Sequence, residues 1–335
     1  MTVHTDNWSM QGRGHMTHEC ENGDLALRAS VTTRIGVGHA LVDDCSSRGV
    51  CASIINHAKK EGRPAYVVTA NAQHIVLLNE DRELREIYGN ADLVLADGVS
   101  LLIAARLSGR VIHERITGVD IFRQLCGLAA ESGLRVFLLG GRPGSAERAA
   151  AALKSSFANF RCATCCPPLG FERTEAGLSA VADAITSYRP QLLFVALGAP
   201  KQEYWIYHYG LQLSVPVSIG VGGSFEMVGG VVPRAPLWVQ SIGCEWLYRL
   251  YQEPRRMWHR YTIGNFEFAE IVAAQWIRRA LLNACVRIAS QNRFAAELQE
   301  IAMLQSERVA GLLSVISPPE TVRAQDSVAV YLHRL

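Results

Sequence analysis

ADLVLADGVSLLIAARLSGRVIHERITG, residues 91–118, carries the reading of the fold. Asp92-Leu93-Val94-Leu95-Ala96 is a short apolar run of strand length. It stops at Asp97-Gly98, and a helical pattern follows at once, with Val99, Leu102, Ile103 and Arg106 on helical spacing. An acid at the carboxyl end of a strand, just before a helix, stands where open α/β sheets place their ligands. Arg115 follows in Glu114-Arg115-Ile116-Thr117-Gly118. A carboxylate to deprotonate an acceptor and a guanidinium to meet a departing diphosphate are what transfer from a sugar nucleotide requires. A helix-capping Asp and a surface Arg would produce the same letters.

Outward from this stretch the pattern repeats. Strands are expected at residues 34–37, 65–70, 134–139, 160–165, 191–197 and 215–220. Helices are expected at 46–60, 73–88 with a break near Asn79, 119–132, 145–157, 174–187 and from Pro200. Apolar strands alternating with helices predict an α/β fold, a parallel sheet with helices on both faces and right-handed crossovers. The alternation ends near Gly222; short helices rich in Trp, Tyr and Arg follow, then a long amphipathic stretch. The expected organisation is a disordered leader over 1–33, the α/β domain over 34–242, a basic and aromatic helical appendage over 243–310, and a tail over 311–335.

Composition narrows the function. With 49% hydrophobic residues the 335-residue chain can bury a substantial core, and a net charge of +2 does not suit a nucleic-acid binder. Nine scattered cysteines suit a reducing compartment. Cys162, Cys165 and Cys166 resemble half a zinc site without its second half, and buried thiols at a strand end account for them. No signal peptide is expected in the polar N-terminus, and charges interrupt the best spanning candidate, residues 263–288.

Four further strand exits carry candidate chemistry. Thr69 and Asn71, with Gln73 in the next turn, are placed to bond a sugar, a ribose or Asp97; N-capping by Asn71 is the competing reading. Gly140 and Gly141, before a helix, permit close backbone approach by a phosphate or simply a tight turn. Gly198-Ala199-Pro200-Lys201-Gln202-Glu203 puts Lys201, Gln202 and Glu203 in a first helical turn at the ligand edge, Gln202 for a uracil or sugar edge and Lys201 for phosphate. Gly222 and Gly223 form a third glycine-rich exit, suited to backbone pressed against a ligand. Between Glu245 and Phe294, eight arginines (249, 255, 256, 260, 278, 279, 287, 293) face four acids (245, 253, 267, 270), among apolar residues near helical spacing. A basic amphipathic segment with Trp reads as a membrane-surface element, or as a helix packed on its own domain.

In order and spacing, these motifs resemble the WecG/TagA/CpsF family of bacterial glycosyltransferases. The likeness rests on Thr69-x-Asn71, Ala91-Asp92-x3-Ala96-Asp97-Gly98, Glu114-Arg115-x2-Gly118, Gly198-x-Pro200-Lys201-Gln202-Glu203, Gly222-Gly223-x-Phe225 and Glu245-Trp246-x2-Arg249. It implies a Rossmann-like domain with a C-terminal helical appendage. It implies an inverting, metal-independent enzyme without a cofactor. The sugar (N-acetylmannosamine, its uronic acid or glucose) would pass from a UDP-sugar donor to a polyprenyl-diphosphate-linked acceptor in cell-surface polysaccharide synthesis. It further implies a cytoplasmic protein, peripheral on the inner face of the plasma membrane, and is compatible with a homo-oligomer.

By position, the resemblance makes Asp97 the base, Thr69 its polar neighbour, Arg115 the diphosphate-facing arginine and Gln202 the donor-motif glutamine. Arg249, Arg256 and Arg260 become the appendage arginines that close over the diphosphate. The chain departs from the family pattern in having Ala96 where proline is usual and Glu226 where aspartate is frequent, and it runs well past the usual end. A nucleotide-dependent dehydrogenase is disfavoured, because no G-x-G-x-x-G follows the first strand. A non-catalytic membrane-associated assembly protein with a vestigial sugar-nucleotide site is the remaining alternative.

Overall fold

Stretches of four to six residues, buried and mostly apolar in all but the edge strand at Arg161–Cys165, build the centre of the protein, a six-stranded parallel sheet. The computed structural model describes residues 27–60, 62–241, 243–291 and 307. Residues 1–26 of the expected leader, nearly all of 292–310 and the 311–335 tail lie outside the described residues. The chain opens with β1 (Val31–Val37), β2 (Ala40–Cys45), α1 (Ser47–Ala58), β3 (Ala65–Ala70), α2 (Ala72–Glu80) and α3 (Arg82–Gly89). It continues through β4 (Leu93–Ala96), α4 (Val99–Leu107), α5 (Gly118–Glu131), β5 (Arg135–Gly140), α6 (Ser145–Ser156), β6 (Arg161–Cys165) and α7 (Glu175–Tyr188). Then come β7 (Leu192–Ala196), α8 (Lys201–His208), β8 (Val217–Gly220), α9 (Ser224–Val228), α10 (Leu237–Ser241), α11 (Glu245–Gln252) and α12 (Pro254–Gln291).

The strand order is β4-β3-β8-β7-β5-β6, every neighbour parallel. Side chains alternate across a strand, so each strand feeds two cores. Val67, Leu95, Leu138, Phe194 and Ile219 enter one; Tyr66, Val68, Phe137, Leu139 and Val195 enter the other. Burial on both faces is why these strands read as unbroken apolar runs. Phe122 of α5 packs at 4.8 Å from Phe194 and 5.3 Å from Phe225, joining helix, sheet and the β8 exit. The Rossmann-like α/β architecture expected from the sequence is the one observed.

The N-terminal part differs from the expectation. The expected leader reached Thr33, yet Leu27 is buried and Arg28 donates to the Asp92 carbonyl at 3.0 Å, so structure begins before residue 34. β1 also pairs antiparallel with an unforeseen β2 in a separate two-stranded sheet. Asp43 and Asp44 hide β2 from a hydrophobicity reading, although both are buried. Asp43 receives Arg34 Nε at 2.6 Å and the Val94 N–H at 2.7 Å, while Asp44 receives the N–H of His113 at 2.9 Å. These carboxylates fasten the hairpin to β4 and to the segment that leads into Arg115.

Helices continue past residue 242, the expected end of the α/β domain. The chain divides into two compact units after Gln275. Phe268 and Val272 of α12 are buried in the second core, and Gln275 bonds both the Gly36 carbonyl and the Gly38 N–H at 3.0 Å. The first half of α12 therefore completes the α/β unit. The α2–α3 break falls at Asp81, whose carboxylate caps α3 through the Leu84 N–H.

Asp43→Ala leaves a buried Val94 N–H and the Arg34 guanidinium without their acceptor. Chemical denaturation is expected to show a loss of about 2–4 kcal/mol. A loss under about 0.5 kcal/mol would mean that the hairpin is not fastened through this carboxylate.

Candidate active site

Backbone hydrogen bonds set Asp97 at the carboxyl edge of the sheet. Its N–H donates to the Ala70 carbonyl at 2.8 Å, and the Ile116 N–H donates to the Ala96 carbonyl at 2.9 Å. The β3 exit, Asp97 and Arg115-Ile116 are thereby drawn together. The backbone N–H of Gly118, the first residue of α5, acts to lower the Asp97 pKa. A carboxylate at a helix N-terminus is favoured by the unpaired N–H groups there. Gly118 sits in a tight place: a Cβ would stand 3.2 Å from both Ser224 Oγ and the Val221 carbonyl.

The charges around Asp97 come from α11 and α2. Burial raises its pKa, Arg249 pulls it back, Glu245 pushes it up again, and His74 and the Gly118 N–H lower it; the balance lies at about 6 against an ordinary 3.8. Such a group is ionised at neutral pH yet far more basic than a free carboxylate, which suits general base catalysis.

Arg234 fastens this arrangement. Its guanidinium grips Asp120 of α5 through two bonds, of 2.5 and 2.9 Å, and its Nε reaches Glu245 of α11 at 3.4 Å. Burial alone would raise Asp120; hydrogen bonds from Arg234 and Thr117, with the charges of Arg234 and Arg115, outweigh it and hold the carboxyl below its usual range. Arg249 also approaches Met227 Sδ of α9 at 3.0 Å, and Glu253, just past α11, pairs with Arg142 of the glycine-rich β5 exit. Helix α11 is therefore tied to the exits of β4, β5 and β8.

Residues 35–281 match the family described as the glycosyl transferase WecG/TagA/CpsF family. The chain belongs to that family. It is a glycosyltransferase, similar to several characterised by the name N-acetylglucosaminyldiphosphoundecaprenol N-acetyl-β-D-mannosaminyltransferase. The one from Bacillus subtilis (strain 168) is 33% identical over 196 residues, 58% of this chain and 74% of that protein. The Bacillus spizizenii protein is 31% identical over 200 residues, 60% and 76% of the two chains. The Staphylococcus aureus (strain MW2) protein is 28% identical over 215 residues, 64% and 83%.

The glycosyltransferase gathers Asp97, Arg115 and Arg249 at one edge, with Gly222 and Gly223 at the neighbouring β8 exit. Other expected residues stand behind that edge. Thr69 is buried and donates to the Gly220 carbonyl at 2.9 Å, so it braces β3 against β8 and does not bond Asp97. Asn71 caps α2 through the Gln73 N–H, the capping reading of the two offered above. Gln202, expected to read the donor, is 2% exposed; its Oε1 takes the Gly222 N–H at 3.0 Å and its Nε2 donates to Glu203 at 2.8 Å. It shapes the glycine turn from below, as an amide buried under a turn must spend its polar atoms on the protein. Glu203 is 1% exposed and equally removed from a ligand, whereas Lys201 points outward and meets Glu172 at 3.4 Å. Gly140 and Gly141 have φ of +91° and +81°, and a Cβ on either would strike its neighbours, so the turn itself requires glycine. The side chains of Arg256 and Arg260 lie outside those described.

Sequence reasoning did not single out Arg234 or His74. The available signal was the i, i+4 spacing of Glu245 and Arg249, which puts both on one face of α11.

The raised pKa has a stability consequence. Between about pH 4 and 6 the folded protein holds a proton on Asp97 that the unfolded chain has released. Stability contributed by this group therefore falls as pH rises through that window and stays low above it. Asp97→Asn is expected to be more stable than the native protein by on the order of 1–3 kcal/mol at pH 7.5, the gap closing near pH 4. Thermal melts across pH check this, and an equal or lower Tm at pH 7.5 would contradict the assigned burial of charge.

Proposed function

We propose that this glycosyltransferase moves an N-acetylmannosamine-type sugar from a UDP donor to a polyprenyl-diphosphate-linked N-acetylglucosamine in cell-surface polysaccharide synthesis, with inversion at the anomeric carbon. The carrying observation is Asp97: a carboxylate tuned to about 6, at a strand exit, with Arg249 opposite. The names of the three relatives supply the acceptor and the sugar.

The acceptor hydroxyl attacks the anomeric carbon from the face opposite the diphosphate. Asp97 takes the hydroxyl proton as the new bond forms. The glycosidic C–O bond to the β-phosphate breaks, and UDP leaves with the electron pair. Arg115 and Arg249 meet the charge that grows on the diphosphate, with Arg256 and Arg260 of α12 as further cations, and no metal ion is required. The β8 exit, shaped by Gln202 beneath Gly222, offers its backbone to the donor.

The acceptor carries a lipid, and the outer surface of the appendage suits a membrane. Leu237, Trp238, Leu247 and Tyr251 are 82%, 68%, 51% and 86% exposed on α10 and α11. Aromatic residues beside arginines favour the headgroup region. Among the described residues no helix is long and apolar enough to cross a membrane. The protein then works as a peripheral enzyme on the inner face of the plasma membrane.

Transfer from a panel of UDP-sugars to a short-chain polyprenyl-diphosphate N-acetylglucosamine, with and without EDTA, tests the reading. One donor is expected to be consumed, with EDTA without effect. Asp97→Asn should lower turnover by about 10³-fold or more while UDP affinity stays within about threefold. Near-normal turnover would remove Asp97 as the base; UDP binding without transfer to any acceptor would favour a vestigial site. Replacing Trp238 and Tyr251 together by Ser should weaken pelleting with anionic vesicles, and unchanged pelleting would exclude this face as the membrane contact.

A further inference from the structure

Helix α11 carries Arg249 to the edge of the site, yet none of its eight residues is buried. Trp246, Leu247 and Tyr251 are 40%, 51% and 86% exposed. A surface helix is ordinarily held by an apolar stripe turned to the core. Without one, the seat of α11 depends on its ends and on its polar side chains. Gly243, in the turn that enters the helix, packs on Val99, two residues past Asp97: its φ is +75°, and a Cβ there would stand 2.7 Å from Val99 Cγ2. Glu245, the first residue of α11, meets Arg234 Nε at 3.4 Å. Arg249 Nη2 stands 3.0 Å from Met227 Sδ of α9, the helix that follows the β8 exit. Glu253, just past the helix, pairs with Arg142.

Arg234 differs from the other ties in what lies behind it. Its terminal nitrogens grip Asp120 at 2.5 and 2.9 Å, and Nη2 also approaches Thr117 Oγ1 at 3.4 Å. Thr117 caps α5 by accepting the Asp120 N–H at 3.1 Å, and its hydroxyl donates to the Asp120 carboxylate at 2.6 Å. A forked arginine–carboxylate pair fixes orientation as well as distance. The chain on either side of this cap bounds the site. Before it, the Ile116 N–H is bonded to the Ala96 carbonyl, directly ahead of Asp97. After it, a Cβ on Gly118 would stand 3.5 Å from Thr69 Oγ1 and 3.2 Å from the Val221 carbonyl. One guanidinium therefore joins α11 to the segment that backs the carboxyl edge of β3, β4 and β8.

We propose that Arg234 is a positioning residue for the transfer: it clasps α11 to the start of α5 and thereby sets Arg249 at the β4 and β8 exits. The proposal rests on the reading of Arg249 as a cation that meets the departing diphosphate. Arg234 does not itself serve the substrate, since each of its three side-chain nitrogens has a protein acceptor. The side chains of Arg234 and Asp120 are 25% and 39% exposed, so water replaces a lost partner and the two cores are left intact when the clasp opens.

The test takes the full-length protein and two readouts. Without substrate, amide hydrogen exchange across residues 245–252 should quicken about tenfold or more in Arg234→Gln, while β3, β4 and β8 exchange as in the native protein. With UDP-sugar and lipid-linked acceptor, kcat should fall by roughly 10–100-fold and the donor KM change less than about threefold, the pattern of an interaction lost only in the transition state. Arg249→Ala should show the same split. The double variant should be no more than about threefold worse than the more damaged single one, because a displaced α11 has already withdrawn Arg249. Unchanged exchange across 245–252, or losses that multiply in the double variant, overturns the proposal. A lower Tm with native kcat means a purely structural clasp and overturns it too. Should Arg234→Gln fail to fold, Asp120→Asn opens the same clasp from the α5 side and is held to the same outcomes. The two readings fail differently. Native kcat in Arg249→Ala removes that arginine from the mechanism, and the purpose of the clasp with it. An impaired Arg249→Ala beside an unimpaired Arg234→Gln removes the clasp alone.

Discussion

Asp97 is held by two backbone bonds, its own N–H to Ala70 and the Ile116 N–H to Ala96, before any side chain is considered. Those bonds fix a carboxylate where β4 leaves the sheet, and packed chain around it removes much of its hydration. Burial raises the pKa, and everything else near the group answers that one effect: Arg249, His74 and the Gly118 N–H draw it down, while Glu245 adds to it. The result is poised between a carboxylate that would be too weak a base and one that would stay protonated at neutral pH. The surrounding fold can be read as the means of holding these opposed charges in place.

Much of this was legible because strands buried on both faces have one sequence signature. Val67 and Val68 enter different cores, as do Phe194 and Val195, so both faces are predominantly apolar and the runs stand out. The strand-to-helix junction at Asp97-Gly98 was legible for the same reason, since an acid directly after such a run marks the sheet edge. β2 was not, because Asp43 and Asp44 interrupt it. Their burial is decided by partners far away in sequence, Val94 and His113, which no local pattern reports.

The site was legible in outline and misread in depth. Lys201-Gln202-Glu203 reads as a first helical turn facing a ligand, yet Gln202 and Glu203 are buried within the protein and only Lys201 lies outward. Gln202 and Glu203 face inward because the β8 exit lies against them: a Cβ on Gly220 would meet Gln202 Nε2 at 2.8 Å. A polar residue in a helical turn has two faces to choose between, and spacing alone does not select one. Thr69 shows the same ambiguity, its hydroxyl turning to the Gly220 carbonyl and away from Asp97.

Helix α11 is where stability and function become one question. Glu245 and Arg249 lie one turn apart and act on Asp97 with opposite sign. Glu245 is an unfavourable neighbour for a base that must ionise, and Arg234, which reaches it at 3.4 Å while gripping Asp120 at the start of α5, offsets part of that charge. The same guanidinium thus tempers the acid and anchors the helix. Lifting α11 away would remove the desolvation, the attraction of Arg249 and the repulsion of Glu245 together, returning Asp97 towards an ordinary carboxylate. The strength of the base and the seating of the appendage are therefore set by the same contacts, and Arg234 is the residue common to both.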